Sequence, residues 1–155
     1  MRTQDTHRFT LEVRASDETI PRVRRVLAAR LREWGLDTQI GPVCRGTVEL
    51  LANVARHVEG DRTCVVEVRW TGRRLVASVA DRDPRLPRLT SAGPVSGGLA
   101  AVALLSDGWG TCATETGKVI WFGRRVARAG HTPLDGRAPY PATGEFRRLP
   151  RTAGV

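Results

Sequence analysis

The sequence predicts one α/β domain, in which helices and strands are mixed, followed by a basic tail. Two amphipathic helical stripes follow a first β-rich run, and two pairs of β-rich runs with turn residues between them come after. The length of 155 residues and the hydrophobic content of 41% suit a single domain with a substantial core. We therefore assign residues 1–125 to the domain and residues 126–155 to the tail.

Periodicity defines the first strand and the first helix. Residues 9–13 alternate apolar and polar side chains, which predicts a half-buried strand. Ser16 is placed as an N-cap, Pro21 lies in the first turn where its missing N–H is tolerated, and Gly35 ends the helix. The apolar stripe that predicts this helix has spacings of 3, 4, 4 and 3, and consists of Ile20, Val23, Leu27, Leu31 and Trp34.

The second helix and a hairpin come next. A linker that contains Pro42 leads into a helix predicted over residues 43–58. Two β-rich runs, residues 64–70 and 75–80, flank a turn that contains Gly72, which predicts a hairpin. The order up to this point is strand, helix, helix, strand, strand.

A long loop divides this half from a second hairpin. Residues 82–96 hold three prolines and no period, which predicts a loop of about 15 residues, a length typical of lids and binding loops. A short apolar helix is predicted over 99–105, and strands over 108–114 and 118–123. Residues 126–155 are rich in proline, glycine and arginine and predict a flexible tail without a period.

Composition limits the functional classes. No apolar run is long enough to span a membrane and no signal-peptide pattern is present, so we expect a cytoplasmic protein without a membrane partner. Cys44, Cys64 and Cys112 are widely spaced, which favours buried reduced thiols over disulfides or zinc. The net charge is +9, and residues 124–155 carry seven arginines against two acids, which gives 7 − 2 = +5. A basic tail can contact nucleic acid or an acidic partner, but no stacking aromatics accompany it, so we do not expect nucleic acid to be the main partner.

One helical segment carries a line of polar side chains. Glu49, Asn53 and His57 follow at intervals of one turn and fall within about 80° of one another on the helix. Two interpretations are open, a solvent-facing side of an amphipathic helix or one wall of a binding site. His57 also suits an exposed helix end, where the dipole favours its charge.

Two further features stand beyond this helix. Asp81 lies at the mouth of a hairpin strand, and Gly97 and Gly98 precede the short helix that begins at Leu99. Backbone N–H groups at a helix start can bind phosphate, although a plain turn is the more frequent explanation of a glycine pair. Lys118, the only lysine, could be a phosphate ligand, but its place at the start of a hairpin strand favours a surface position.

Taken in order, these features resemble the histidine-kinase-like ATPase domain, the Bergerat fold, and above all its small branch of anti-sigma factor serine kinases and related regulatory ATP-binding proteins. The resemblance runs from Phe9 to Arg124 and includes Asp-x-Asp-Pro-x-x-Pro from Asp81, Leu-Ser-Asp-x-Trp-Gly from Leu105, and Gly-Lys-Val-x-Trp from Gly117. It implies an α+β sandwich, with a mixed and mainly antiparallel sheet, helices on one face, and ATP between helices and sheet.

The resemblance also implies roles for the candidate residues. Asn53 would bind Mg²⁺ and Glu49 would act as the base toward an attacking hydroxyl, while Asp81 would accept a hydrogen bond from the adenine amino group. Gly97, Gly98 and Leu99 would bring backbone amides to the phosphates, His57 would extend the same site, and residues 82–96 would form the lid. Where larger members carry Asp-x-Gly-x-Gly, this chain has Asp-Arg-Asp-Pro-Arg, so prolines stiffen the segment.

Three functional hypotheses follow. The first is a serine/threonine protein kinase that uses ATP and Mg²⁺ and binds a sigma factor or its antagonist. The second is an ATP-binding regulatory module that binds such a partner without phosphorylating it, and the third is a binder of nucleic acid or an acidic partner through the tail. The sequence leaves open whether the protein forms a homodimer.

Overall fold

An open sheet of five strands, in the order β1-β2-β3-β7-β6, forms one layer of the protein. The computed structural model describes residues 7–86, 89–90, 93–94 and 97–126. The strands of this sheet are β1 (His7–Arg14), β2 (Thr63–Trp70), β3 (Arg74–Asp81), β6 (Gly108–Ala113) and β7 (Lys118–Arg125). Every pairing in it is antiparallel, so the mainly antiparallel sheet of the sequence prediction is confirmed without a parallel pair among the described strands.

The hairpins form where the sequence predicts them. Thr71 N–H donates to the carbonyl of Arg74 at 3.1 Å, and Gly72 adopts a φ of 87°, which suits a residue without a Cβ. The second hairpin turns at Gly117, whose carbonyl accepts from Thr114 N–H at 2.9 Å. Because β3 pairs with β7 on one side and with β2 on the other, the two hairpins join into one sheet.

The first helix, α1 (Ile20–Glu33), has the predicted buried stripe and ends as predicted. Thr19 N–H donates to the Ser16 hydroxyl at 3.2 Å, so Ser16 closes the turn that leads into the helix, although the N-cap position falls on Thr19. At the other end Leu36 N–H donates to the carbonyl of Leu31 and Gly35 N–H to that of Arg32, with Gly35 at a φ of 71°. This pair of bonds is a Schellman motif.

The second helix, α2 (Ile40–His57), begins three residues earlier than predicted. A 3-10 turn over Asp37–Gln39 runs directly into it, and Pro42 lies inside its first turn. The predicted linker around Pro42 was therefore wrong, because the first turn of a helix has no internal partner for the N–H that proline lacks.

The segment between β3 and the last helix differs in part from the predicted structureless loop. Leu89–Thr90 (β4) and Gly93–Pro94 (β5) form a two-stranded antiparallel pair, of which only the backbone is described. Helix α3 (Gly97–Leu105) includes the glycine pair, which was expected to precede it. Within the proposed lid over 82–96, residues 87–88, 91–92 and 95–96 lie outside the described residues, and of the tail over 126–155 only residue 126 is described.

The core lies between the helices and one face of the sheet. Strand alternation sends Val66 and Val68 of β2, and Ala77 and Val79 of β3, into this layer. The helices contribute side chains such as Leu27, together with Leu31, Leu50, Leu51, Val54, Leu99 and Val102. Among the helices of the described part of the chain, none has the length and apolar character needed to cross a bilayer.

Helix α2 approaches the sheet closely at one glycine. A Cβ on Gly46 would lie 2.5 Å from Cζ and 2.9 Å from Cε2 of Phe122, a ring of β7 that is buried in the core. At the end of the same strand, Arg124 donates to Gln39 Oε1 at 2.8 Å and to the carbonyl of Leu105, so one side chain joins the start of α2 to the end of α3. These contacts fix both helices over β7.

We predict that Gly46→Ala lowers the free energy of unfolding by about 1–3 kcal/mol, because the added methyl overlaps a buried ring in a close-packed layer. This loss outweighs the gain of up to about 1 kcal/mol that alanine brings to a helix interior. Urea denaturation at equilibrium measures the change. The matched control is Gly41→Ala in the same helix, where nothing lies within 4 Å of the added Cβ. Equal stability of the two variants would contradict this account of the packing.

Candidate functional site

The polar line of α2 lies where the sequence predicts it, with Glu49 and Asn53 half-buried and His57 exposed at the last residue of the helix. On the opposite side of the helix Leu50, Leu51 and Val54 are buried in the core. The amphipathic pattern is thus confirmed, with two of the three polar residues partly covered.

Glu49 lies against the first turn of α3. Its Oε2 is 3.1 Å from the position that a Cβ on Gly98 would occupy, and its carbonyl oxygen is 3.8 Å from the same position. Gly98 therefore lets the two helices pack closely at this point, with a carboxylate beside a helix start, where the dipole favours negative charge. Leu99, the next residue, is buried in the core through its side chain, so only its backbone could contribute to a phosphate site.

The C-terminus of α2 is held by Arg85 from the segment after β3. Arg85 Nη2 donates to the carbonyl of His57 at 3.2 Å and to Asp83 Oδ2 at 2.8 Å. Hydrogen bonds from the Arg85 side chain, and then from its backbone N–H, lower the pKa of Asp83 to about 2. Arg85 thus contacts His57 through the backbone carbonyl of this residue.

Asp81 and Lys118 form a buried ion pair at the end of β3. Their side chains are 3% and 9% exposed, and they face each other in the β3–β7 register. Lys118 Nζ donates to Asp81 Oδ1 at 3.0 Å, lies 2.9 Å from Oδ2, and donates to the carbonyl of Asp83 at 3.1 Å. The expected surface position of Lys118 was wrong, because Lys118 is on the same side of β7 as Ile120 and Phe122, toward the helices.

Gly117 fixes the start of β7 beside this pair. A Cβ there would lie 2.6 Å from Cα of Arg82 and would also overlap the carbonyl oxygen of Asp81. The close backbone approach places Lys118 directly across from Asp81. A side chain at position 117 would force the two strands apart.

A thiol beneath the site responds to the same carboxylate. Burial, with a smaller contribution from the negative charge of Asp81, raises the pKa of Cys64 to about 12. Cys64 Sγ donates to the carbonyl of Val13 at 3.4 Å. Cys44, Cys64 and Cys112 are all buried free thiols, as the sequence predicts.

The two ends of the site differ in how well they fit ATP and Mg²⁺. Within the described ranges no group of three or more His, Cys, Asp or Glu side chains converges on a metal position. A half-buried amide such as Asn53 nevertheless fits Mg²⁺, which binds through few protein ligands together with phosphate oxygens and water. The Asp81 end does not present an open acceptor for a base, because its carboxylate is already paired with Lys118.

The sequence did not lead us to predict that Lys118 pairs with Asp81 or that Arg85 binds the carbonyl of His57. Alternation along β7 does place Lys118 on the side of Ile120 and Phe122, and this was the available signal. For Arg85 the sequence holds no comparable signal, since its contact with His57 depends on the path of an irregular segment.

In the described residues, the five-stranded antiparallel sheet with three α-helices is an α+β fold. No protein-family model matches this chain, and no curated protein matches it. Among solved structures it is similar to the crystal structure of the RsbU and RsbW domains of Rv1364c from Mycobacterium tuberculosis, with a TM-score of 0.61 and 22% sequence identity. The match covers 77% of this chain and 32% of that one, so this chain spans about a third of its length. A likeness at this identity shows the fold.

We predict that alkaline pH weakens the protein through Cys64. Its folded pKa of about 12 lies above the ordinary thiol value of 9.0, so the stability that the buried neutral thiol contributes is complete below pH 9 and is lost as the pH rises toward 12. Between about pH 8 and about pH 10.5 the wild type should lose about 2 kcal/mol more free energy of unfolding than Cys64→Ala, because only the wild-type unfolded state gains this thiolate. Urea midpoints at the two pH values measure the difference, and equal losses would contradict the prediction.

Proposed function

We propose that this protein is an ATP-binding regulator that phosphorylates a serine or threonine of a partner protein, in the manner of anti-sigma factor kinases. The observation that carries the proposal is the contact between Glu49 on α2 and Gly98 at the start of α3. Two motifs far apart in sequence thereby meet on the helix layer, on a fold that is similar to a structure containing an RsbW domain.

In this proposal each candidate residue has a chemical role. Asn53 binds Mg²⁺, Glu49 accepts the proton of the attacking hydroxyl, and Asp81 binds the base. The backbone of Gly97, Gly98 and Leu99 contacts the phosphates, and His57 borders the same site. Bound Mg²⁺ would neutralise charge on the phosphoryl oxygens during transfer.

The partner in this proposal is a sigma factor or its antagonist. Support comes from the fold likeness to the structure with RsbU and RsbW domains and from the resemblance in the order of motifs. The described residues include the exposed apolar side chains Val26, Leu86 and Leu104, of which Leu104 on α3 is the most exposed. A partner that binds beside α3 would cover this side chain.

A second candidate is a regulatory module that binds ATP and its partner without phosphoryl transfer. The buried Asp81–Lys118 pair favours it, because a carboxylate already paired with an ammonium group binds an adenine amino group weakly. The third hypothesis is a binder of nucleic acid or an acidic partner through the tail, residues 126–155. Of this tail only residue 126 is among the described residues.

We predict that ATP with Mg²⁺ raises the thermal unfolding midpoint. A ligand at about 100 times its dissociation constant stabilises a protein by ~2.7 kcal/mol, which corresponds to roughly 5–10 °C for a domain of this size. Asn53→Ala should lose the part of the shift that depends on Mg²⁺. The control is Arg56→Ala, an exposed change one turn along the same helix. No wild-type shift at millimolar ATP would refute both ATP-binding hypotheses.

We predict that Glu49→Gln lowers the rate of phosphoryl transfer by about 10²–10⁴-fold, because it removes a base and retains the shape of the side chain beside Gly98. The assay uses labelled ATP, Mg²⁺ and a panel of antagonist proteins, with the ATP-induced thermal shift of the variant as the control for binding. ATP binding without transfer by the wild type would instead favour the non-catalytic module.

A further inference from the structure

Lys118 lies against both carboxylate oxygens of Asp81. Its Nζ donates to Asp81 Oδ1 at 3.0 Å and to the carbonyl of Asp83 at 3.1 Å, and lies 2.9 Å from Asp81 Oδ2. Asp81 Oδ1 also accepts from Asp83 N–H at 2.9 Å. Because the Asp81 side chain is only 3% exposed and Lys118 Nζ lies against both of its oxygens, a ligand amino group reaches Asp81 only if Lys118 gives up a contact.

The pair lies in the layer where a base would have to bind. Asp81 follows Val79 on the core side of β3, and Lys118 precedes Ile120 on the core side of β7. Helix α2 packs against β3, and its C-terminus is joined to the segment after β3 through Arg85. The ammonium group is thus enclosed between sheet and helix layer, with little access to water.

We propose that Lys118 competes with the nucleotide for Asp81 and thereby sets both the affinity and the base selectivity of the site, an inference that rests on the proposed ATP-binding function. In the free protein Lys118 holds the base subsite closed. Adenine binds when the Lys118 ammonium group leaves Asp81 and the base amino group takes its place as donor.

The chemistry of the two donors decides the direction of the effect. An ammonium group forms a charge-assisted pair with a carboxylate, whereas an adenine amino group is a neutral donor. The exchange is therefore unfavourable in the wild type and reduces nucleotide affinity. Removal of the ammonium group leaves a buried carboxylate without its cation, which a neutral donor then stabilises.

The test measures the dissociation constants of ATP and of inosine triphosphate, in the presence of Mg²⁺, by isothermal titration calorimetry. Inosine triphosphate has the same phosphates and sugar but a carbonyl in place of the adenine amino group. Lys118→Met should bind ATP about tenfold or more tightly than the wild type, and should bind inosine triphosphate without a comparable gain. A purely structural role of Lys118 would not separate the two nucleotides.

A matched variant controls for charge. Lys118→Met lowers the positive charge of the protein, which by itself weakens the binding of a polyanion, so tighter ATP binding cannot come from net charge. Arg73→Met removes one charge at the exposed turn at the other end of β3, and should bind both nucleotides no more tightly than the wild type. Lys118→Gln, whose amide still donates to Asp81, serves if Lys118→Met does not fold, and should show the same preference for ATP.

The outcomes separate this inference from the proposed function. Wild-type binding of ATP without a gain in the folded Lys118 variants, or an equal gain for inosine triphosphate, would overturn the inference and leave the ATP-binding function standing. No binding of ATP by the wild type or by either folded variant would overturn both. A gain for ATP alone, relative to wild-type binding that is measurable at millimolar ATP, supports both.

Discussion

The close approach of α2 to β7 is the constraint on which the rest of the structure depends. Gly46 meets the ring of Phe122 without a Cβ between them, and this sets the height of the helix above the sheet. Glu49 follows Gly46 by three residues on α2, and Lys118 precedes Phe122 by four on β7. One packing contact therefore sets the position of Glu49 on the helix relative to Lys118 on the strand.

Charged side chains of the protein occupy both ends of the candidate site, the end at α3 and the end at Asp81. Glu49 lies beside the first turn of α3, where the helix dipole favours an anion, and Lys118 is bound to the carboxylate that would receive a base. The two ends differ in accessibility. The Glu49 side chain is half-buried, whereas Asp81 and Lys118 are enclosed and paired with each other. A ligand that uses Asp81 has to break an ion pair.

Local patterns in the sequence predicted the local structure well. The stripe of α1, the turn at Gly72 and the stop at Gly35 depend on neighbours in the chain, and the structure has all three. Contacts between segments that are far apart in the sequence were harder to predict. The burial of Lys118 depends on the register of β3 with β7, and no short turn connects these two strands. Lys118 was predicted to be exposed because β7 begins directly after a tight turn. The early start of α2 was missed because Pro42 was interpreted as a linker residue although a first turn accepts proline.

The position of Lys118 also bears on the choice between a kinase and a binding module. A buried ion pair contributes little net stability compared with apolar residues of similar size, because desolvation offsets most of the attraction. Packing alone would be served as well by apolar residues at both positions, whereas an apolar residue at position 118 alone leaves the Asp81 carboxylate buried without its cation. With the ammonium group in place, the free energy needed to release Asp81 is subtracted from the affinity for any ligand that uses this carboxylate. Under the proposed function, transfer chemistry at Glu49 would therefore depend on an equilibrium at the other end of the site, and Lys118 would contribute to that function together with the polar line of α2.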